Sequence, residues 1–343
     1  MSLLGVRSTL KTEGVVFLIL ESQMAPTVFI DSPALIDAHT HLQDPSIWAN
    51  CDFQVFIDRC LSAGVVGAVV CGCHPGDWAA VEQLETRLRS ALSTFTAYPQ
   101  YGLHPWWVKT RPDDWLERLK TFLIRHPQSG VGEIGLDAHF PDLAPMDDQI
   151  LVCEQQLLLA WEFDRPVTVH CLKAHNEFLL ILKKYPKRSV AERKLNPGGT
   201  RLQSERKHAK QLADLSTVPI VLHMFTGSEE YVKAYCKYSE NIYFSVFSKG
   251  PKGSLIQSIP MDRLVVETDS PFQPAQDEEK ARVMGSLCGC MPPALREQTT
   301  SHRINDPSQL LLSVQRIASA KVLPFDEVAR ITRQNTIAAF RLR

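Results

Sequence analysis

The chain has 343 residues, of which 44% are hydrophobic and 22% are charged, a composition that excludes disorder over most of its length. The formal net charge of −1 excludes a global positive field that would attract a polyanion. Any binding of nucleic acid must therefore come from a local patch or from metal ions.

The first 33 residues contain one short apolar run, Val15 to Leu20, which is too short for a signal-peptide core or a membrane helix. Residues 1–33 are predicted to be an N-terminal extension. The cysteines are scattered, and Cys71 with Cys73 lies in an apolar run, which favours buried, reduced thiols over a disulfide framework. We therefore expect no membrane segment and an intracellular protein of the cytoplasm, the nucleus or both.

From Ala34 onward, short β-rich runs alternate with amphipathic stretches, as is typical of parallel βαβ units. The predicted strands are Ala34 to Leu42, Val65 to Gly72, Thr96 to His104, Gly130 to Asp137, Pro166 to Cys171, Pro219 to Thr226, Ile242 to Ser248 and Leu264 to Asp269. No glycine-rich dinucleotide fingerprint follows the first strand, so this α/β pattern favours a single-domain (β/α)8 TIM barrel over an open doubly wound sheet.

Helical spacing of apolar residues predicts the intervening helices. They are Phe53 to Ser62, Asp77 to Ser93, Asp113 to Arg125, Asp147 to Phe163, Ala174 to Tyr185, Glu229 to Tyr238 and Gln309 to Ala320, with a weaker element near Ser254 to Ile259. Two stretches interrupt the alternation and are predicted insertions, near 186–212 and 273–302. The first is rich in Lys and Arg and is expected at the amino-terminal ends of the strands, the face of a barrel that serves stability. The second follows the eighth strand and is expected at the carboxyl-terminal ends, the catalytic face.

Histidines and acids stand at the predicted strand ends. His39 and His41 are two residues apart, so both imidazoles face one side and can share an ion, although a hydrogen-bonded pair is the alternative. Glu133 lies among apolar and glycine residues, where burial requires a partner, either a cation or an internal ion pair.

Three further strand ends carry comparable side chains. His170 and His223 each follow an apolar strand, and two such residues at matching positions favour metal ligands over satisfied core histidines. Asp269 and Glu267 share the eighth strand, so either acid can be the ligand, and a helix cap is the alternative for Asp269. His104 ends the third strand, where it either orients substrate or stabilises a turn. The carboxyl ends of barrel strands are where catalytic residues collect.

In chain order, the motifs Asp-Ala-His-Thr-His-Leu42, Gly-Leu-His-Pro105, Gly-Glu-Ile-Gly-Leu-Asp137, Val-His170, His-Met-Phe-Thr-Gly227 and Glu-Thr-Asp-Ser-Pro271 resemble those of the TatD-like metal-dependent deoxyribonucleases, of the amidohydrolase-type superfamily. The resemblance covers roughly Ala34 to Phe340, with a closing helix after Asn335. It implies two divalent metal ions, one on His39, His41 and Asp269 and the other on His170 and His223, with Glu133 able to bridge them.

The resemblance implies hydrolysis of phosphodiester bonds in DNA by metal-activated water, in some members as a 3′ exonuclease. Asp269 is then the residue that orients or deprotonates the water, with Glu133 as the second catalytic carboxylate. The ions are Mg²⁺, Mn²⁺ or Zn²⁺, since oxygen and nitrogen ligands do not choose among them. The expected partner is DNA, single-stranded or at 3′ ends, with no membrane and no obligate protein partner.

The sequence departs from the family pattern at one position that bears on the substrate. Leu172 stands where many relatives carry an arginine, and Lys173 or Lys249 can replace that phosphate contact only as a point charge. Trp106 and Trp107 follow the third strand, where they either stack on unpaired bases or pack in the loop. Two alternatives remain: a small-molecule amidohydrolase or phosphotriesterase-like enzyme, and a non-catalytic metal-binding scaffold.

Overall fold

The computed structural model describes residues 34–91, 94–140, 142–185, 187, 213–273 and 305–342. Residues 1–33 and nearly all of the two predicted insertions lie outside the described residues, so the division into extension, barrel and insertions stays a prediction. Within the described ranges, no helix combines the length and the apolar character needed to cross a membrane.

Eight parallel strands form one sheet in the described residues, each paired with the next along the chain. They are β1 (Leu35–Thr40), β2 (Val65–Gly72), β3 (Thr96–Tyr101), β4 (Gly130–Asp137), β5 (Val167–Leu172), β6 (Ile220–Leu222), β7 (Ile242–Val246) and β8 (Leu264–Val266). A parallel bridge between Thr40 and Ser270 joins the first strand to the chain leaving the eighth. The amide of Asp269 also donates to the carbonyl of His39 at 3.1 Å. The predicted (β/α)8 barrel is confirmed.

Helices alternate with these strands over the described residues. They are α1 (Pro45–Asn50), α2 (Phe53–Ser62), α3 (Trp78–Ser90), α4 (Trp115–Arg125), α5 (Met146–Glu162), α6 (His175–Lys183), α7 (Glu229–Tyr238), α8 (Gly253–Ser258), α9 (Leu310–Lys321) and α10 (Phe325–Phe340). Helices α2 and α7 have the predicted bounds, whereas α1 was not predicted. Asn335 lies inside α10 and not before it, because the closing helix begins at Phe325.

Helix α2 illustrates how the sequence sets these elements. The Asp52 side chain accepts hydrogen bonds from the amides of Gln54 and Val55 at 2.8 and 3.2 Å, which is an N-cap worth about 1 kcal/mol. One turn later, Phe56 and Cys60 are buried against the sheet. The main apolar core lies in this way between the strands and the helices that cover them.

Strands β6 and β8 are shorter than predicted. The sequence predicted that they run to Thr226 and Asp269, but their ladders end at Leu222 and Val266. Beyond those points, Met224 has φ 42° and Asp269 has φ 59°, a left-handed conformation that lies outside the β region. The chain therefore turns where it leaves the sheet, at the same end of the barrel as the predicted metal ligands.

Candidate metal centre

The carboxyl ends of the strands bring together seven polar side chains, which we call the metal-site cluster: His39, His41, His104, Glu133, His170, His223 and Asp269. Each is buried except His170, which is partly exposed. All six predicted ligands and His104 therefore meet at one place, although they come from six different strand ends.

One side of the cluster is built on β1. The Nε2 atoms of His39 and His41 lie 3.0 Å apart, so the two rings face the same point. Asp269 Oδ1 lies 3.6 Å from the first of these nitrogens and 3.5 Å from the second. Glu133 Oε2 lies 3.4 and 3.5 Å from the same two atoms. Two nitrogens and two oxygens thus converge within the reach of one ion.

The other oxygen of Glu133 faces a second group of histidines. Its Oε1 atom lies 3.3 Å from His170 Nδ1, 3.5 Å from His104 Nε2 and 3.8 Å from His223 Nε2. Glu133 therefore directs one oxygen toward each half of the cluster, the arrangement that a bridging carboxylate requires. His104 stands as close to Glu133 as the other histidines do, so it can act as a ligand as well as a substrate contact.

The donor set fits divalent cations. Glu133 is 2% exposed, and its Oε1 accepts no well-aligned hydrogen bond from the described residues. A buried carboxylate oxygen without a donor is unfavourable unless a cation compensates it. Imidazole nitrogens and carboxylate oxygens, without thiolate, suit Mg²⁺, Mn²⁺ or Zn²⁺.

Behind His170 lies a carboxylate that the sequence analysis did not single out. Asp137 Oδ2 is 3.0 Å from His170 Nε2 and accepts a hydrogen bond from the Trp106 indole N–H at 2.8 Å. Because Nε2 is held by Asp137, the ring presents Nδ1 to Glu133. The signal was in the sequence, since Asp137 follows Glu133 by four residues on one strand and so faces the same side.

A second carboxylate performs the same task for His223. Glu267 Oε2 lies 3.0 Å from His223 Nδ1, and its other oxygen accepts the Met224 amide at 2.7 Å. Glu267 therefore binds the far side of the imidazole and leaves Nε2 to the cluster. Of the two acids, Asp269 lies in a group of side chains that could hold an ion, as the family resemblance implies, whereas Glu267 does not; the role of Asp269 as a ligand stays a prediction.

The charges in the cluster are strongly coupled. Burial disfavours the charged form of Glu133, but His104, His223 and His39 outweigh it and hold the pKa of this carboxyl well below its usual range. Burial likewise opposes protonation of His223, yet Glu267 and Glu133 raise its pKa to about 9. His104 has no such second acid, so burial lowers its pKa to about 4 and the ring is neutral at pH 7.

A buried aspartate joins the first strand of the barrel to the segment that follows the eighth. Asp37 accepts hydrogen bonds from Thr268 Oγ1 at 2.6 Å, from the Thr268 amide at 3.1 Å and from the His39 amide at 3.2 Å. These bonds join β1 to the segment that carries Asp269. The bonds thereby fix the position of His39 relative to Asp269, although the two residues are far apart in the chain.

The position of His170 depends on a close approach between β4 and β5. Gly135 has φ 139°, and a Cβ atom at this position would lie 1.9 Å from the His170 carbonyl oxygen. Only glycine has room there and readily adopts this conformation. The glycines of the Gly-Glu-Ile-Gly motif thus serve the packing of the strand that carries Glu133.

The two predicted phosphate contacts lie outside the cluster. Lys173, with φ 55°, follows β5, and Lys249 follows β7; both side chains are exposed. They share the end of the barrel that holds the cluster, but neither ammonium forms an ion pair with a described carboxylate of the cluster. Their contact with substrate stays a prediction.

Comparison with known proteins agrees with this architecture. The family model for TatD related DNase matches residues 36–341. The chain is 27% identical to the uncharacterized metal-dependent hydrolase YabD of Bacillus subtilis, over 90% of this chain and 99% of the relative. It is 25% identical to the 3′-5′ ssDNA/RNA exonuclease TatD of Pantoea vagans, over 85% of this chain and 94% of the relative.

A solved structure has the same fold. The crystal structure of YjjV, a TatD homologue from Escherichia coli, superposes with a TM-score of 0.67 at 22% identity, covering 91% of this chain and 99% of that protein. The family match extends over the whole barrel and includes every residue of the metal-site cluster. The chain therefore belongs to the TatD related DNase family of metal-dependent hydrolases.

Proposed function

We propose that this protein hydrolyses phosphodiester bonds in DNA and that the metal-site cluster holds two divalent ions for this reaction. The observation that carries the proposal is the division of the Glu133 carboxylate between two groups of histidines, with Oε2 toward His39 and His41 and Oε1 toward His170 and His223. Two ions held there would polarise the phosphoryl group, lower the pKa of water and stabilise the leaving oxygen.

The side chains have separate tasks in this proposal. Burial opposes ionisation of Asp269, but His41 and His223 lower its pKa, so it is a carboxylate at neutral pH and can accept a proton from the attacking water. His104 is neutral at pH 7, and because its Nδ1 accepts the Trp106 amide at 3.2 Å, its Nε2 faces Glu133 and is the nitrogen available to an ion. Exposed Lys173 and Lys249 supply positive charge for the phosphates on either side of the bond that is cut.

Nucleic acid is favoured over small amides and phosphotriesters. The acid on β4 is Glu133, whereas amidohydrolases of the alternative kind often bridge their ions with a carboxylated lysine. The name of the Pantoea vagans relative includes both single-stranded DNA and RNA, which supports a nucleic-acid substrate for this chain. DNA and RNA strands of one sequence therefore belong in the same test.

The experiment uses metal-depleted protein reloaded with Mg²⁺, Mn²⁺ or Zn²⁺ and end-labelled single-stranded DNA. We expect shortened products from the wild type and none from Glu133→Gln, with a parallel fall in bound metal. The matched control is Glu327→Gln, an exposed acid on α10, which should cleave like the wild type. Absence of DNA cleavage by the wild type with every metal would refute the proposal, and cleavage of RNA alone would assign the activity to RNA instead.

A further inference from the structure

The exposed aromatic side chains of the described residues lie on one face of the barrel. We call them the aromatic rim: Trp106 at 50% exposure, Trp107 at 42%, Phe140 at 46% and Phe272 at 47%. All four follow the carboxyl end of a strand, namely β3, β4 or β8. Burying a large apolar side chain is worth about 1.5–3 kcal/mol, so leaving several exposed at one site indicates a binding surface.

The rim adjoins the metal-site cluster on two sides. The Trp106 ring lies 6.3 Å from the His170 ring, and the Phe272 ring lies 5.5 Å from the His41 ring. Glu133 contacts both of these histidines through its two oxygens. A chain whose phosphate lies over Glu133 therefore passes aromatic side chains in both directions.

Trp106 is held in position before any ligand arrives. Its indole N–H donates to Asp137 Oδ2 at 2.8 Å, and the Phe140 ring meets it edge to face with centroids 5.4 Å apart. A ring fixed in this way loses little conformational freedom when a ligand stacks on it. Its exposed half is thus available as a preformed platform.

We propose that Trp106 and Phe272 stack on unpaired nucleobases on either side of the phosphodiester bond that is cut. The inference rests on the proposed function and specifies its substrate as a single strand that carries bases. In a duplex, both faces of an internal base are covered by its neighbours, so only an unpaired base can insert against a protein ring. Stacking of one base on one aromatic ring is worth about 1–3 kcal/mol and depends little on sequence.

The test compares two single strands of equal length, one with normal bases and one with abasic residues, which share the same phosphodiester backbone. The wild type should show a KM for the abasic strand that is about a hundredfold higher than for the normal strand, as expected from the loss of two stacked bases at about tenfold each. Phe272→Ala removes one of the two rings and should raise KM for the normal strand by about tenfold, and Phe272→Leu, which keeps apolar bulk without a flat ring, should behave like Phe272→Ala.

Trp106 is tested with Trp106→Phe and Trp106→Ala, because both lose the bond to Asp137 and only the second loses the ring. A higher KM for the alanine variant than for the phenylalanine variant measures the stacking contribution. The control is Ile124→Ala, an exposed apolar residue of α4, 67% exposed, which should match the wild type on both strands.

Binding gives a readout that does not depend on cleavage. Stacked bases quench tryptophan fluorescence, so the normal strand should quench the wild type and the abasic strand should not. If both strands bind and are cut with equal KM, the rim proposal is overturned while the nuclease proposal stands. If neither strand is cut but the normal strand alone quenches, the nuclease proposal fails, and the rim retains only the base-binding part of its proposed role.

Discussion

Two of the five histidines of the metal-site cluster, His170 and His223, are oriented by buried acids. Asp137 holds His170 through Nε2, and Glu267 holds His223 through Nδ1, so the two rings present opposite nitrogens to the same carboxylate. A carboxylate behind a metal-binding imidazole fixes the tautomer and increases the basicity of the ligand atom. Metal affinity in this protein should therefore depend on residues that touch no ion.

Asp137→Asn tests this dependence. The side chain keeps its size but loses the charge that faces His170, so we expect metal affinity to fall by about 10- to 100-fold with the fold intact. Competition with a fluorescent chelator measures the affinity, and circular dichroism measures the fold. The control is Asp58→Asn, an exposed acid on α2, which should bind metal like the wild type. Equal affinities in the two variants would show that Asp137 does not support the site.

At the scale of single elements, the sequence predicted the bounds of β2 and β4 better than the carboxyl ends of β6 and β8. Strands β2 and β4 have their predicted bounds, because their apolar and glycine-rich runs continue to the last ladder bond. Strands β6 and β8 end before the predicted residues. Met224 and Asp269 adopt positive φ values there, which could not be predicted from the residue types.

The meeting of the cluster residues was predictable because each lies in or just after a barrel strand, and the carboxyl ends of these strands meet. The pairing of Asp137 with His170 and of Glu267 with His223 was not predictable from spacing. Those partners lie 33 and 44 residues apart. The register of β4 with β5 decides the first pairing, and the position of β8 relative to β6, across β7, decides the second.

Gly135→Ala should disrupt the contact between β4 and β5. The new Cβ would meet the His170 carbonyl oxygen, and φ 139° is strained for any residue with a side chain. We expect a loss of unfolding free energy of at least about 1–3 kcal/mol, measured by chemical denaturation. Gly253→Ala is the matched control, because the nearest atom to its Cβ would lie at 3.9 Å. A stable Gly135→Ala protein with normal metal binding would contradict this account.

The packing of α6 on α7 should make stability depend on pH. His175 begins α6, its Nδ1 lies 3.0 Å from the Tyr235 hydroxyl on α7, and burial lowers its pKa from 6.5 to about 4. The folded state favours the neutral ring. The contribution of His175 to the free energy of unfolding is therefore complete above pH 6.5 and is lost as the pH falls toward 4. The loss amounts to roughly 3 kcal/mol at most.

His175→Gln keeps a hydrogen-bonding side chain but cannot titrate. Its unfolding free energy should fall less than that of the wild type between pH 7 and pH 4.5, since other titrating groups are common to both proteins. Urea denaturation at a series of pH values provides the comparison. Parallel curves for the two proteins would exclude His175 as a source of the pH dependence.

At the scale of the whole molecule, the barrel closes around a cluster of oppositely charged and coupled groups. Glu133 and Asp269 lie among five imidazoles, and their pKa values are lowered only because those rings surround them. Ions that bind the folded state alone stabilise it by mass action, by about 2.7 kcal/mol per site at a hundred times Kd. The folded barrel should therefore be markedly more stable with metal than without it.

Removal of metal with a chelator should lower Tm, and Mn²⁺ or Zn²⁺ added back should raise it in proportion to the logarithm of the free ion concentration. Differential scanning calorimetry of wild type and Glu133→Gln makes the comparison, because the variant lacks the carboxylate that faces both groups of histidines. A wild-type Tm that is independent of metal would argue against ions in the folded cluster.

The backbone bonds between the first strand and the segment after the eighth also affect biosynthesis. His39 and His41 leave the ribosome early, whereas Asp269 and Ser270 emerge only after more than two hundred further residues. Until then, the nascent chain lacks both the acid that lies beside His39 and His41 in the cluster and the carbonyl that accepts the His41 amide. A truncated product that stops before Asp269 therefore lacks both this acid of the metal-site cluster and the backbone bonds that join it to β1.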